Sequence, residues 1–136
     1  MKIICFILLL HFYNSDMVEI KKLSDINNGC YYFDVAGLPN PFSPSLNTVF
    51  GIPKKSIVKI DIYKTINNQN LKSREFCFQI FNDTLESGMY SAIWSEKDEM
   101  NNKMPVGIYQ YFLQFESLDT NSKTELKTFS KMIVIF

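Results

Sequence analysis

Between residues 56 and 64, Val58, Ile60 and Ile62 alternate with Lys59, Asp61 and Tyr63. A period of two sends successive side chains to opposite faces, so this segment predicts a strand with one buried and one solvated side. Six more segments have strand character: residues 30–35, 48–52, 74–81, 89–94, 108–116 and 127–135. In the fourth of the seven, Phe76, Phe78 and Ile80 are expected on one side. In the sixth, Tyr109, Tyr111, Leu113 and Phe115 are expected to face inward. No segment shows a helical period. The intervals carry turn chemistry: prolines at 39, 41, 44 and 53, and asparagine-rich patches around 67–70 and 101–102. Gly88 and Gly107 stand where loops become strands, and both are expected to supply positive φ there. Sheets with one apolar face must find a second sheet, so the pattern predicts an all-β, immunoglobulin-like Greek-key sandwich of about seven strands. Residues 16–29 are polar and mixed and read as a lead-in, which places the domain at 30–136.

The start of the chain departs from this pattern. Lys2 is followed by an unbroken apolar run from Ile3 to Leu10. A positive start and a short apolar stretch are the layout of a secretory signal peptide, here 1–15, and the run is too short to span a bilayer. Export, to the periplasm, outer surface or medium, is therefore expected, with membrane contact only through that peptide. Cys5 would leave with it. Cys30 and Cys77 would remain, either as a disulfide in an oxidising compartment or as two buried thiols acting as small hydrophobes.

Charge and chemistry narrow the function. Acidic and basic side chains balance at 14 each, which gives the chain no electrostatic drive towards nucleic acid. The single histidine, His11, falls in the segment expected to be removed, so Ser-His, Cys-His and His-bearing zinc sets are not open to the mature chain. Glu96, Asp98 and Glu99 crowd one loop without a calcium-loop spacing and read as a solvated turn. No glycine-rich phosphate loop occurs. The expectation is a chain that is not an enzyme and uses no metal or cofactor, with a protein as partner. Tyr32, Tyr63 and Phe112 are candidates for an exposed contact patch, and the terminal strand is a candidate edge for strand addition.

Five short motifs, in order, resemble a known family. Pro39-Asn40-Pro41-Phe42-Ser43-Pro44-Ser45 is similar to the opening of the type A C-terminal sorting domains of the type IX secretion system. Residues 56–63 are similar to their next strand, and Gly88 through Trp94 to their Gly-to-Trp strand. Gly107-Ile108-Tyr109 with Leu113 is similar to their Gly-x-Tyr strand, and Lys131-Met132-Ile133-Val134-Ile135 to their Lys-Met-apolar finish. The resemblance covers about residues 38–136 and departs after Trp94, where Ser95-Glu96-Lys97-Asp98 replaces a tight Asp-Gly or Asn-Gly turn. It implies an immunoglobulin-like fold shared with the flagellar hook-capping protein. It also implies recognition of the tail by secretion or surface-attachment machinery; the alternative is a free-standing structural or adhesive module of the hook-cap kind. Trp94 and Tyr109 are expected at the edge of the core, apolar bodies buried and polar atoms partnered.

Overall fold

The computed structural model describes residues 17–25, 29–35, 45–66, 73–118 and 124–135. They form two four-stranded antiparallel sheets packed face to face. In chain order the strands are β1 (Val18–Ser24), β2 (Tyr32–Val35), β3 (Leu46–Ile52), β4 (Ser56–Thr65), β5 (Arg74–Leu85), β6 (Gly88–Trp94), β7 (Gly107–Ser117) and β8 (Leu126–Ile135). One sheet has the order β1-β6-β3-β2 and the other β5-β4-β7-β8. From β2 to β8 the chain winds as an immunoglobulin domain does, changing sheets after β3, β5 and β6. The signal-like segment, the cysteine within it and the Pro39–Pro44 motif residues (Pro39, Asn40, Pro41, Phe42, Pro44) lie outside the described residues.

Alternation places the core as the pattern requires. Val58, Ile60 and Ile62 of β4 are fully buried, as are Leu113 and Phe115 of β7, with Tyr109 and Tyr111 nearly so. From the other sheet Phe50, Ile52, Ala92 and Trp94 meet them. The two layers interlock through rings: Phe33 stacks on Tyr111, and Phe78 meets Trp94 edge-on, while Phe50 stacks on Tyr90 within its own sheet. One polar tie crosses this core. The Tyr111 hydroxyl lies 3.2 Å from Thr48 Oγ1, and that oxygen donates in turn to the Ala92 carbonyl at 3.4 Å. Burial pushes the Tyr111 phenol above its ordinary value, because the ionised form would lose its water.

Two expectations are corrected. The stretch 16–29 is not a mere lead-in, for it holds β1, which pairs with β6 from Val18↔Trp94 to Ser24↔Met89. This eighth strand occupies the place beside β6 that the constant-type immunoglobulin domain gives its D strand. Only Val18 and Ile20 point apolar groups into the core, and Lys21 and Lys22 come next, so the apolar alternation is too brief to stand out. The sandwich thus begins at 18 rather than 30. The second correction concerns β5. Ile60 pairs with Phe81 but Asp61 with Gln79, and Ile62 pairs with Phe78 but Tyr63 with Phe76. Ile80 and Cys77 are therefore extra residues in two β-bulges, each of which reverses the facing of the strand beyond it. Phe78 and Ile80 face the core as expected, while Phe76 is turned out and is 54% exposed.

Candidate protein-binding surface

The motif residues in the described regions serve the frame. Trp94 is wholly buried, and its indole N–H donates to the Lys97 carbonyl at 3.1 Å. The loop that replaces a tight turn after Trp94 thus brings back the acceptor that the indole needs. The same loop is closed by Asp98, whose Oδ1 accepts from the backbone N–H groups of Met100 and Asn102 at 2.9 and 2.8 Å. Glu96 and Asn101 take positive φ within it. Asp98 here acts as a turn cap, and among the described residues no cluster of three metal-ligating side chains forms around it.

Tyr109 donates to the Pro105 carbonyl at 2.7 Å, and Tyr90 to that of Glu86 at 2.7 Å. Both are tyrosine corners that reach back four residues across a Gly-x-Tyr step, and each fixes how the chain turns into a strand. Their glycines differ. Gly88 has φ +148, and a Cβ there would lie 2.5 Å from the Ser24 carbonyl oxygen of β1. Gly107 does not have the positive φ expected of it; a Cβ there would meet nothing nearer than 3.7 Å. The left-handed residues before β7 are Glu96 and Asn101, so the turn is complete before the chain reaches Gly107.

Cys30 and Cys77 are not joined. Cys30 precedes β2 and is exposed, whereas Cys77 is half-buried in a bulge of β5. Phe33 of β2 packs on Phe129 of β8, while Phe78 of β5 packs on Trp94 of β6. The two cysteines therefore sit at diagonally opposite edges of the sandwich, out of reach of a disulfide.

An open sandwich has four edges, and three of these are poor templates for a further strand. β1 is short and breaks register between Lys22 and Ser24. β2 has four residues. β5 is long but carries two bulges. β8 differs, because its ten residues run against β7 without a register shift, from Gly107↔Ile135 to Glu116↔Leu126. Its other side has no neighbouring strand among the described residues. Ile133 and Ile135 anchor it in the core, while Met132 and Val134 stand outward at 52% exposure each. Lys131 reaches Asp34 of β2 at 3.8 Å and ties this edge to the opposite sheet.

The outward residues of β8 continue onto the outer face of their sheet. In one row Met132 pairs with Gln110, Gln110 with Tyr63, and Tyr63 with Phe76. Phe112 meets the Tyr63 ring edge-on at 5.9 Å, and Phe76 does so at 5.6 Å. Of the three aromatic residues expected to form a contact patch, Tyr63 and Phe112 are therefore neighbours. Tyr32 lies on the other sheet and does not join them. Sequence reasoning misses Phe76, because the bulge that turns it outward leaves no mark on the period-two pattern. It misses Arg74 as well, because an arginine near a turn looks like any solvated charge. No protein-family model matches the chain, and no curated protein matches it.

Proposed function

We propose that this chain is a non-enzymatic, exported immunoglobulin-like recognition module of the type IX sorting-domain kind, engaged by secretion or surface-attachment machinery along β8. The supporting observation is the contrast among the edges: β8 is long and unbulged and carries the apolar Met132 and Val134 on its outward side, where β1, β2 and β5 are short or irregular. A partner strand laid beside it would gain main-chain hydrogen bonds, and Met132 and Val134 would give it side-chain contacts.

The test is a reporter fused ahead of residues 17–136, with its own signal peptide, in a bacterium that has a type IX system. A fusion beginning at 30 would lack β1. Surface display that is lost on deleting the secretion channel supports the proposal. A folded reporter retained in the periplasm overturns it and leaves the hook-cap type of adhesive module. Met132→Lys with Val134→Lys is the sharper variant. Both positions are exposed, so the fold should survive while charges block the outward side of the edge. Proline at Ile133 or Ile135 should also abolish display, but it disturbs buried residues as well.

A further inference from the structure

The outer face of the β5-β4-β7-β8 sheet carries a guanidinium held in an unusual setting for a surface arginine. Arg74 extends from β5 across β4, with its Cζ 4.5 Å from the Tyr63 ring centre and 5.2 Å from that of Phe112. Its Nη1 donates to Gln110 Oε1 at 2.8 Å, and Gln110 is 8% exposed. Two rings and a buried amide thus fix the plane of the guanidinium, which still has N–H donors to spare. No carboxylate among the described residues pairs with it; the nearby Asp61 accepts from Gln79 Nε2 at 2.8 Å instead. Around this cation lie Phe76, Met132 and Val134, each more than half exposed. Arginine, tyrosine, phenylalanine and methionine are the side chains enriched where proteins bind one another, and a contiguous apolar surface of this kind marks a contact site.

We propose that this face binds a protein segment bearing a carboxylate flanked by large apolar side chains. The carboxylate pairs with Arg74, and its neighbours cover Phe76 on one side and Met132 on the other. Charge decides the occupant. A second copy of this face would set Arg74 against another cation, and a purely apolar segment would bury the guanidinium without a counter-charge, which is costly. An acidic group meets a fork already oriented, so little rotamer entropy is lost on pairing. From β5 to β8 there are three strand spacings, roughly 14 Å, which about four or five extended residues cover. This inference does not depend on β8 serving as a sorting tail.

The probe is the capped peptide acetyl-Leu-Phe-Glu-Phe-Leu-amide, compared with its Gln counterpart, titrated into isotope-labelled protein and followed by NMR. The Glu peptide should shift the signals of Tyr63, Phe112 and Met132 and bind about tenfold more tightly than the Gln peptide, as a charge-assisted pair requires. Arg74→Gln should erase that preference while leaving the spectrum of the β1-β6-β3-β2 sheet unchanged. Arg74→Lys should retain only part of it, since the charge remains but the planar fork is lost. Equal binding of the two peptides, shifts confined to other faces, or a preference that survives Arg74→Gln would each overturn the proposal.

Discussion

The two Gly-x-Tyr corners allow one substitution to be tested against its own control. Gly88 and Gly107 each lie two residues before a tyrosine whose hydroxyl reaches back four residues, so sequence alone treats them as equals. The structure does not. At Gly88 an alanine must adopt φ +148, a region essentially restricted to glycine, and such strain costs about 1–3 kcal/mol. Its Cβ would also stand 2.5 Å from the Ser24 oxygen and 2.8 Å from Lys22 Cε. The lysine end can swing aside, but the backbone oxygen moves only if the end of β1 moves with it. That shift weakens the β1–β6 ladder and the packing behind it, so the total for Gly88→Ala is about 3–4 kcal/mol. Gly107→Ala has an ordinary φ and only van der Waals contacts at 3.7 Å or beyond. It should change stability by less than about 0.5 kcal/mol, with reduced unfolded-state entropy acting in its favour. Urea unfolding with linear extrapolation reads both. A Gly88→Ala loss under about 1 kcal/mol, or equal losses at the two glycines, would refute the claim that β1's close approach fixes the residue at 88.

Trp94→Ala should cost about 3–5 kcal/mol by urea unfolding, because it empties a fully buried site and orphans the Lys97 carbonyl. The buried Tyr111 phenol predicts a pH effect. Its raised folded-state pKa means that both states are protonated below about pH 10, where its contribution is complete. Above that pH the unfolded chain ionises first, and stability falls by about 1.4 kcal/mol per pH unit for this one group. Tyr111→Phe should lose about 1 kcal/mol at neutral pH yet show a shallower alkaline decline; parallel declines in the two proteins would contradict the assignment. A fragment beginning at residue 30 should unfold at lower urea than one beginning at 17, because it lacks the β1–β6 ladder and the burial of Val18.

How far the sequence could be read depended on how each strand is held in place. β4 and β7 lie at the centre of their sheet, and each must bury every second residue, so the period of two is written plainly in them. β1 is an edge with two core residues, and a pattern that short is lost among lysines. The facing of Phe76 was illegible for a different reason, since a bulge is decided by pairing with β4 and not by β5 itself. Trp94 and Tyr109 were recognisable as large bodies with one polar atom, though not the carbonyls that would receive those atoms. The candidate binding surface was half legible: the apolar tail and two of its aromatic neighbours stand out in one dimension. Arg74 gains its meaning only when β5, β4 and β7 lie side by side.

The position of β1 has a consequence in time. Val18 pairs with Trp94, so most of the sandwich lies between the partners in sequence. Closing so distant a contact costs loop entropy that is recovered only once β6 is seated, and folds dominated by such pairings form in about milliseconds to seconds. β1 should therefore dock after the rate-limiting step. Val18→Ala should speed unfolding and leave the refolding rate nearly unchanged in stopped-flow measurements. Until β1 docks, the edge of β6, the strand that carries Trp94, would stand open to pairing with another chain.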